Sequence, residues 1–154
     1  MANPPIKPLA SKVAEILDGA VLNEVQRLDH SGVFGFNSAS LTVETLWRMI
    51  TAGEIAFSDQ DHGHQFGLPE PMDVEARARA MLVGQYLAKS QVGHDTSDLL
   101  ISFASGPRLE IISASAGYEA WQLYGSGHAL VGRGGRLSEA REIRPGLMIG
   151  GAWE

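Results

Sequence analysis

The chain contains no cysteine. A disulfide framework, a thiolate nucleophile and a cysteine-bound zinc are thereby excluded. It has no apolar run near the ~20 residues that a membrane-crossing helix needs. The opening Met1-Ala2-Asn3-Pro4-Pro5 lacks the apolar stretch of a secretory signal. A cytoplasmic protein without membrane attachment is expected. No G-x-S-x-G elbow occurs, and Gly132-x-Gly134-Gly135 lacks the lysine and following helix of a phosphate-binding loop. Positive charge is in short supply: 12 Lys and Arg stand against 18 Asp and Glu, a formal net charge of −6. An acidic surface repels phosphate backbones, so nucleic acid is not an expected partner. It suits a basic one.

What is present reads as one folded unit. A chain of 154 residues with 44% hydrophobic and 19% charged content can build a single core. Its 18 glycines fit a chain with many turns.

The pattern is stated twice. Prolines at 4, 5 and 8 predict an irregular arm over residues 1–8. Ser11 is placed to cap a first helix, with Leu9, Val13, Ile16 and Leu17 on one face and Gly19 as its stop. Asp73 is placed to cap a second, with Val74, Ala78, Met81 and Leu82 as its stripe and Gly84 as its stop. β signals follow each glycine. Leu99, Ile101 and Phe103 alternate, Ser105-Gly106 turns the chain, and Leu109 and Ile111 alternate after Pro107, which predicts a hairpin. In the first half Phe34 and Phe36 stand where Ile101 and Phe103 do, Leu41–Val43 matches Leu109–Ile111, and Trp47 matches Trp121 if 113–117 is an insertion. The expectation is an α+β domain, mainly antiparallel β with two short helices. It is internally duplicated with pseudo-two-fold symmetry, with halves at about 9–68 and 73–131 joined by Leu68-Pro69-Glu70-Pro71. Gly132–Arg136 marks a loss of regular structure. Residues 137–154 then form a loose or interface-forming tail with a short helical turn at Ser138–Glu142 and a docking Trp153.

Two constellations could carry chemistry. Asp59, Asp61, His62 and His64 fall within six residues and could ligate a divalent metal, although a polar loop after a strand at Glu54–Phe57 explains them as well. Trp47 and Trp121 sit in matching strands. Tyr118-Glu119-Ala120-Trp121 places a carboxylate on the same strand face as an indole, either as a structural pair or as the rim of a recognition pocket. His30 and His94, each beside an aspartate, read as turn residues.

The stretch Asp98–Ile111, with the pattern D-L-x-[IL]-x-F-x-x-G-x-x-L-x-[IV], and the following Tyr118-Glu119-x-Trp121 resemble a family of small bacterial domains of unknown function. Some of its members are read as immunity proteins of polymorphic toxin systems. The resemblance covers the second half well and the first as a diverged copy. It carries no catalytic residue across. It implies a non-catalytic protein-binding domain, an immunity or adaptor protein whose basic partner would be a toxin. Strand-face placement, not the resemblance, offers Tyr118, Glu119, Trp121 and Trp47 as binding residues, and no cofactor is expected. The alternatives are a metal-binding protein, small-ligand-binding protein or hydrolase built on Asp59–His64, and a structural homodimer whose copies cover each other's sheet edges.

Overall fold

A computed structural model gives the backbone of residues 8–144 and 147–153 and the side chains of residues 8–140. Helix α1 (Leu9–Leu17) leads into strands β1 (Leu22–Arg27), β2 (Gly32–Phe36), β3 (Ala39–Val43), β4 (Trp47–Thr51) and β5 (Glu54–Ser58). A 3-10 turn (Asp59–Asp61) and the proline-bearing link precede helix α2 (Val74–Leu82). Strands β6 (Leu87–Val92), β7 (Leu99–Phe103), β8 (Arg108–Ile111), β9 (Trp121–Gly125), β10 (His128–Arg133), β11 (Arg136–Arg144) and β12 (Leu147–Trp153) complete the chain. The fold is α+β, mainly antiparallel β with two short helices. No helix among the described residues is long and apolar enough to cross a membrane.

The strands form two sheets, in the orders β1-β2-β3-β9-β10-β11-β12 and β5-β4-β8-β7-β6. Each half of the chain therefore lends a hairpin to the sheet begun by the other. Val43 lies opposite Trp121 and Leu41 opposite Leu123 in the first sheet. Ile111 lies opposite Trp47 and Leu109 opposite Met49 in the second. These inward side chains join Phe34, Phe57, Leu99 and Ile101 in one core. Burial of each contributes roughly 1.5–3 kcal/mol.

Glycines at the helix ends set the junction between the halves. Gly19 and Gly84 both take positive φ (85° and 88°), which a β-carbon would disfavour. Gly19 N–H donates to Leu87 O and Gly84 N–H to Leu22 O, while Leu22 N–H and Leu87 N–H donate to Gln85 O and Ala20 O. Each helix packs on the other half's first strand. Asp18, at the end of α1, accepts hydrogen bonds from the Ser90 amide and hydroxyl (2.9 and 2.8 Å). Glu75 of α2 accepts from the Arg27 amide, and Arg79 donates to Val25 O.

Several expectations need correction. Ser11 is not a cap: α1 starts at Leu9 with Pro8 before it and no side-chain cap, and the first turn closes when Ser11 N–H donates to Pro8 O. Gly132–Arg136 does not end regular structure. Gly134 and Gly135 (φ 55° and 87°) form a two-residue turn between β10 and β11, because paired left-handed residues match the twist of a tight hairpin. The helical turn at Ser138–Glu142 and the loose tail are replaced by β11 and β12, which extend the first sheet. Ser138 is buried there, with Leu137 and Ala140. The arm at residues 1–7 and the side chain of Trp153 lie outside the described residues.

Candidate functional site

Six connections gather at one end of the two sheets: residues 28–31, 44–46, 59–73, 93–98, 112–120 and 134–135. The two that cross between sheets lie side by side. Glu44 N–H donates to Ala120 O, Ile112 N–H donates to Leu46 O, and the Thr45 hydroxyl donates to Ile112 O (2.7 Å). Gly135 N–H donates to Thr96 O and to the Ser97 hydroxyl, which ties the β10–β11 turn to the β6–β7 loop.

A cavity of about 310 Å³ opens between the 28–31 and 44–46 loops. Asp29, His30, Glu44, Asp59 and Arg27 line it, with Gly32 and Trp47 among its walls. Asp59 is partly buried and accepts a hydrogen bond from the Trp47 amide (3.3 Å). Burial pushes the Asp59 carboxyl above its usual range, and this outweighs the opposing pull of that hydrogen bond and of the Arg27 charge.

Glu44 continues the site outward. The Gln122 side-chain amide donates to Glu44 Oε2 (2.8 Å) and Glu119 Oε2 (2.9 Å), while Gln122 itself is buried. A neutral amide thus holds two carboxylates together at the surface without cancelling their charge. Beside them Tyr118 is 82% exposed, on a loop whose Gly117 and Tyr118 amides donate to the Ser115 hydroxyl.

The structure separates the residues singled out in the sequence. Tyr118 and Glu119 reach the surface, whereas Trp121 is completely buried and its indole N–H donates to Ser97 O (2.9 Å). The carboxylate of Glu119 and this indole bond to different partners, because β9 begins only at Trp121 and strand alternation does not extend back to Glu119. Trp47 is 2% exposed, clasped edge-to-face by Phe34 and Phe57. The 59–64 side chains serve separate local bonds. Asp59 accepts from the Trp47 amide, Asp61 from the Ser58 amide in a capping box, and His62 Nδ1 from the Val74 amide, while His64 stacks on Phe66. Among the described residues no group of three or more His, Asp or Glu is placed to hold a metal ion. Among the described residues the histidine hydrogen bonds of His94, His128 and His62 run to Asp95, Glu139 and the Val74 amide.

Sequence reasoning passed over Arg27, Gly32, Glu44 and Gln122. Short polar loops carry no periodicity, and Gln122 reads as an ordinary strand residue. The one usable signal was the expected repeat, under which the 44–46 connection would correspond to 112–120. A family model described as a family of unknown function, DUF6188, matches residues 16–141, from the end of α1 into β11. No curated protein and no solved structure matches the chain.

Proposed function

The chain belongs to DUF6188, a family with no assigned reaction, and from that premise we propose, on the geometry of its own surface, that it is a non-catalytic protein-binding domain for a basic partner. The observation that carries the reading is the pair Glu44 and Glu119, bridged by one buried amide beside an exposed tyrosine. Carboxylates held in place lose little side-chain entropy on pairing with a partner's lysine or arginine. Tyrosine and arginine are the residues most often found at binding hot spots. A net charge of −6 would steer a basic partner toward this surface.

In its finer form the domain is a bacterial, cytoplasmic immunity or adaptor protein that covers a basic toxin. The same reading takes the two halves as products of an internal duplication. The matched bonds of Gly19 with Leu87 and Gly84 with Leu22, and the exchanged hairpins, support it.

Capture of partners from host lysate by immobilised wild type and by the Tyr118→Ala/Glu119→Gln variant tests the reading. A basic protein retained by wild type and bound at least tenfold more weakly by the variant is expected, since a hot spot contributes ~2 kcal/mol or more. Equal retention by the two, or turnover of a small substrate by the purified chain, contradicts it.

A further inference from the structure

We propose that the cavity between the 28–31 and 44–46 loops is an arginine pocket, which takes a partner's guanidinium together with a main-chain carbonyl next to it. The inference rests on the protein-binding reading above and names the group that this surface receives.

The first support is an unanswered hydrogen-bond donor. Every fully buried side-chain nitrogen or oxygen among the described residues has a hydrogen-bond partner. The indole N–H of Trp47 has none among the described residues, although the residue is 2% exposed. It is therefore reached from outside, and Trp47 lines this cavity. At the corresponding place in the other sheet Trp121 donates to Ser97 O. The fold supplies an acceptor for one indole and leaves the other facing an opening. Gly32 keeps that opening clear: a β-carbon there would stand 3.4 Å from Trp47 Nε1.

Charge supplies the second support. Asp29, Glu44 and Asp59 face one guanidinium, Arg27, so the walls favour a cation. A bare ammonium or metal ion would leave the indole donor unanswered. A peptide-borne cation answers both, with its carbonyl on the indole and its charged head among the carboxylates. A planar guanidinium, less strongly hydrated than an ammonium, can fork between carboxylates from different elements such as Glu44 and Asp59. The volume of about 310 Å³ lies at the small end of the ~300–1,000 Å³ of binding pockets. Glu44 belongs both to this cavity and to the Gln122-bridged pair, so an arginine here would sit directly beside a partner segment lying on Tyr118.

The test is a titration of ¹⁵N-labelled protein with N-acetyl-arginine methylamide. The Trp47 indole cross-peak is assigned by its loss in Trp47→Phe. The expected result is saturable movement of that peak with a Kd on the order of 1 mM. The citrulline analogue, which has the same shape without the charge, should bind at least tenfold more weakly, and the lysine analogue should be weaker than arginine. Asp59→Asn should weaken arginine binding at least tenfold while its remaining oxygen still accepts from the Trp47 amide. Gly32→Ala, with all charges intact, should suppress the indole response and stands in if Asp59→Asn fails to fold. An unmoved Trp47 peak at roughly 10 mM arginine probe, or equal binding of citrulline, overturns the proposal. The two readings fail separately. Partner capture that depends on Tyr118, with no arginine response, removes the pocket alone. An arginine response without Tyr118-dependent capture removes Tyr118 and Glu119 as the partner-binding surface and leaves the arginine pocket standing.

Discussion

Gly132 and Trp121 lie opposite each other on β10 and β9, and Gly132→Ala should destabilise the protein because of that indole and nothing else. A β-carbon at Gly132 would stand 2.5 Å from Trp121 Nε1 and 2.7 Å from Cζ2. The ring cannot retreat, since it is fully buried and pinned to Ser97 O. The φ of Gly132 is not positive, so no backbone penalty enters. Overpacking a core costs roughly 1–3 kcal/mol, against a gain of about 0.5–1 kcal/mol from replacing glycine. The net loss is up to ~2.5 kcal/mol, or up to roughly 10 °C in Tm for a chain of this size, and the closeness of the approach puts it toward that upper end. The contacts involve Nε1, Cε2 and Cζ2 of the indole, and a leucine side chain is too short to reach any of these positions. In a Trp121→Leu background, itself less stable, Gly132→Ala should become neutral or mildly stabilising. Urea unfolding of the four proteins gives the coupling energy, expected at 1 kcal/mol or more. If Gly132→Ala costs the same in both backgrounds, the steric argument is refuted.

Three further outcomes are expected. Glu110 is mostly buried, which by itself pushes its carboxyl up, but hydrogen bonds from Arg48 (2.7 Å) and Arg108 (2.8 Å) outweigh this and hold it below its usual range. A depressed folded value means that its stabilisation is present above ~pH 4.5 and disappears as pH falls through the folded value. Glu110→Gln should therefore lose about 1–3 kcal/mol at pH 7 and show a flatter acid-unfolding profile, read by circular dichroism. Asp18→Ala removes the acceptor of both Ser90 bonds and should cost about 1–2 kcal/mol in thermal unfolding, whereas Asp18→Asn should cost less. Tyr118→Ala should leave Tm within about 1 °C of wild type, because an 82% exposed side chain contributes little to folding. Its effect should be on partner binding alone.

Local signals told the fold well and non-local ones poorly. Asp73 caps α2, accepting from the Ala76 amide (3.0 Å), and Gly84 follows its end, as the sequence predicts. The β7–β8 hairpin turns at Gly106, where φ is 118°. These depend on neighbours within a few residues. Ser11 misled because a good capping residue one turn into a helix looks like its start. Gly134-Gly135 was read as fraying, since two adjacent glycines describe a linker as readily as a tight turn until the strands on both sides are recognised. The exchange of hairpins between sheets had no local signature, because strand pairing over such separations depends on the crossing connections. For the site, alternation put Glu119 on the face of Trp121, but the strand starts too late for the rule to apply. The cavity owes its shape to loops without pattern and to an indole N–H whose lack of a partner exists only in three dimensions.

Hydrogen–deuterium exchange of the protein with and without its captured partner measures the binding surface directly. Protection concentrated in residues 28–31, 44–46 and 112–120 is the predicted result. Protection confined to α2 and the Leu68–Met72 link, or to the β5 edge, with those loops unchanged, would contradict their assignment as the binding surface.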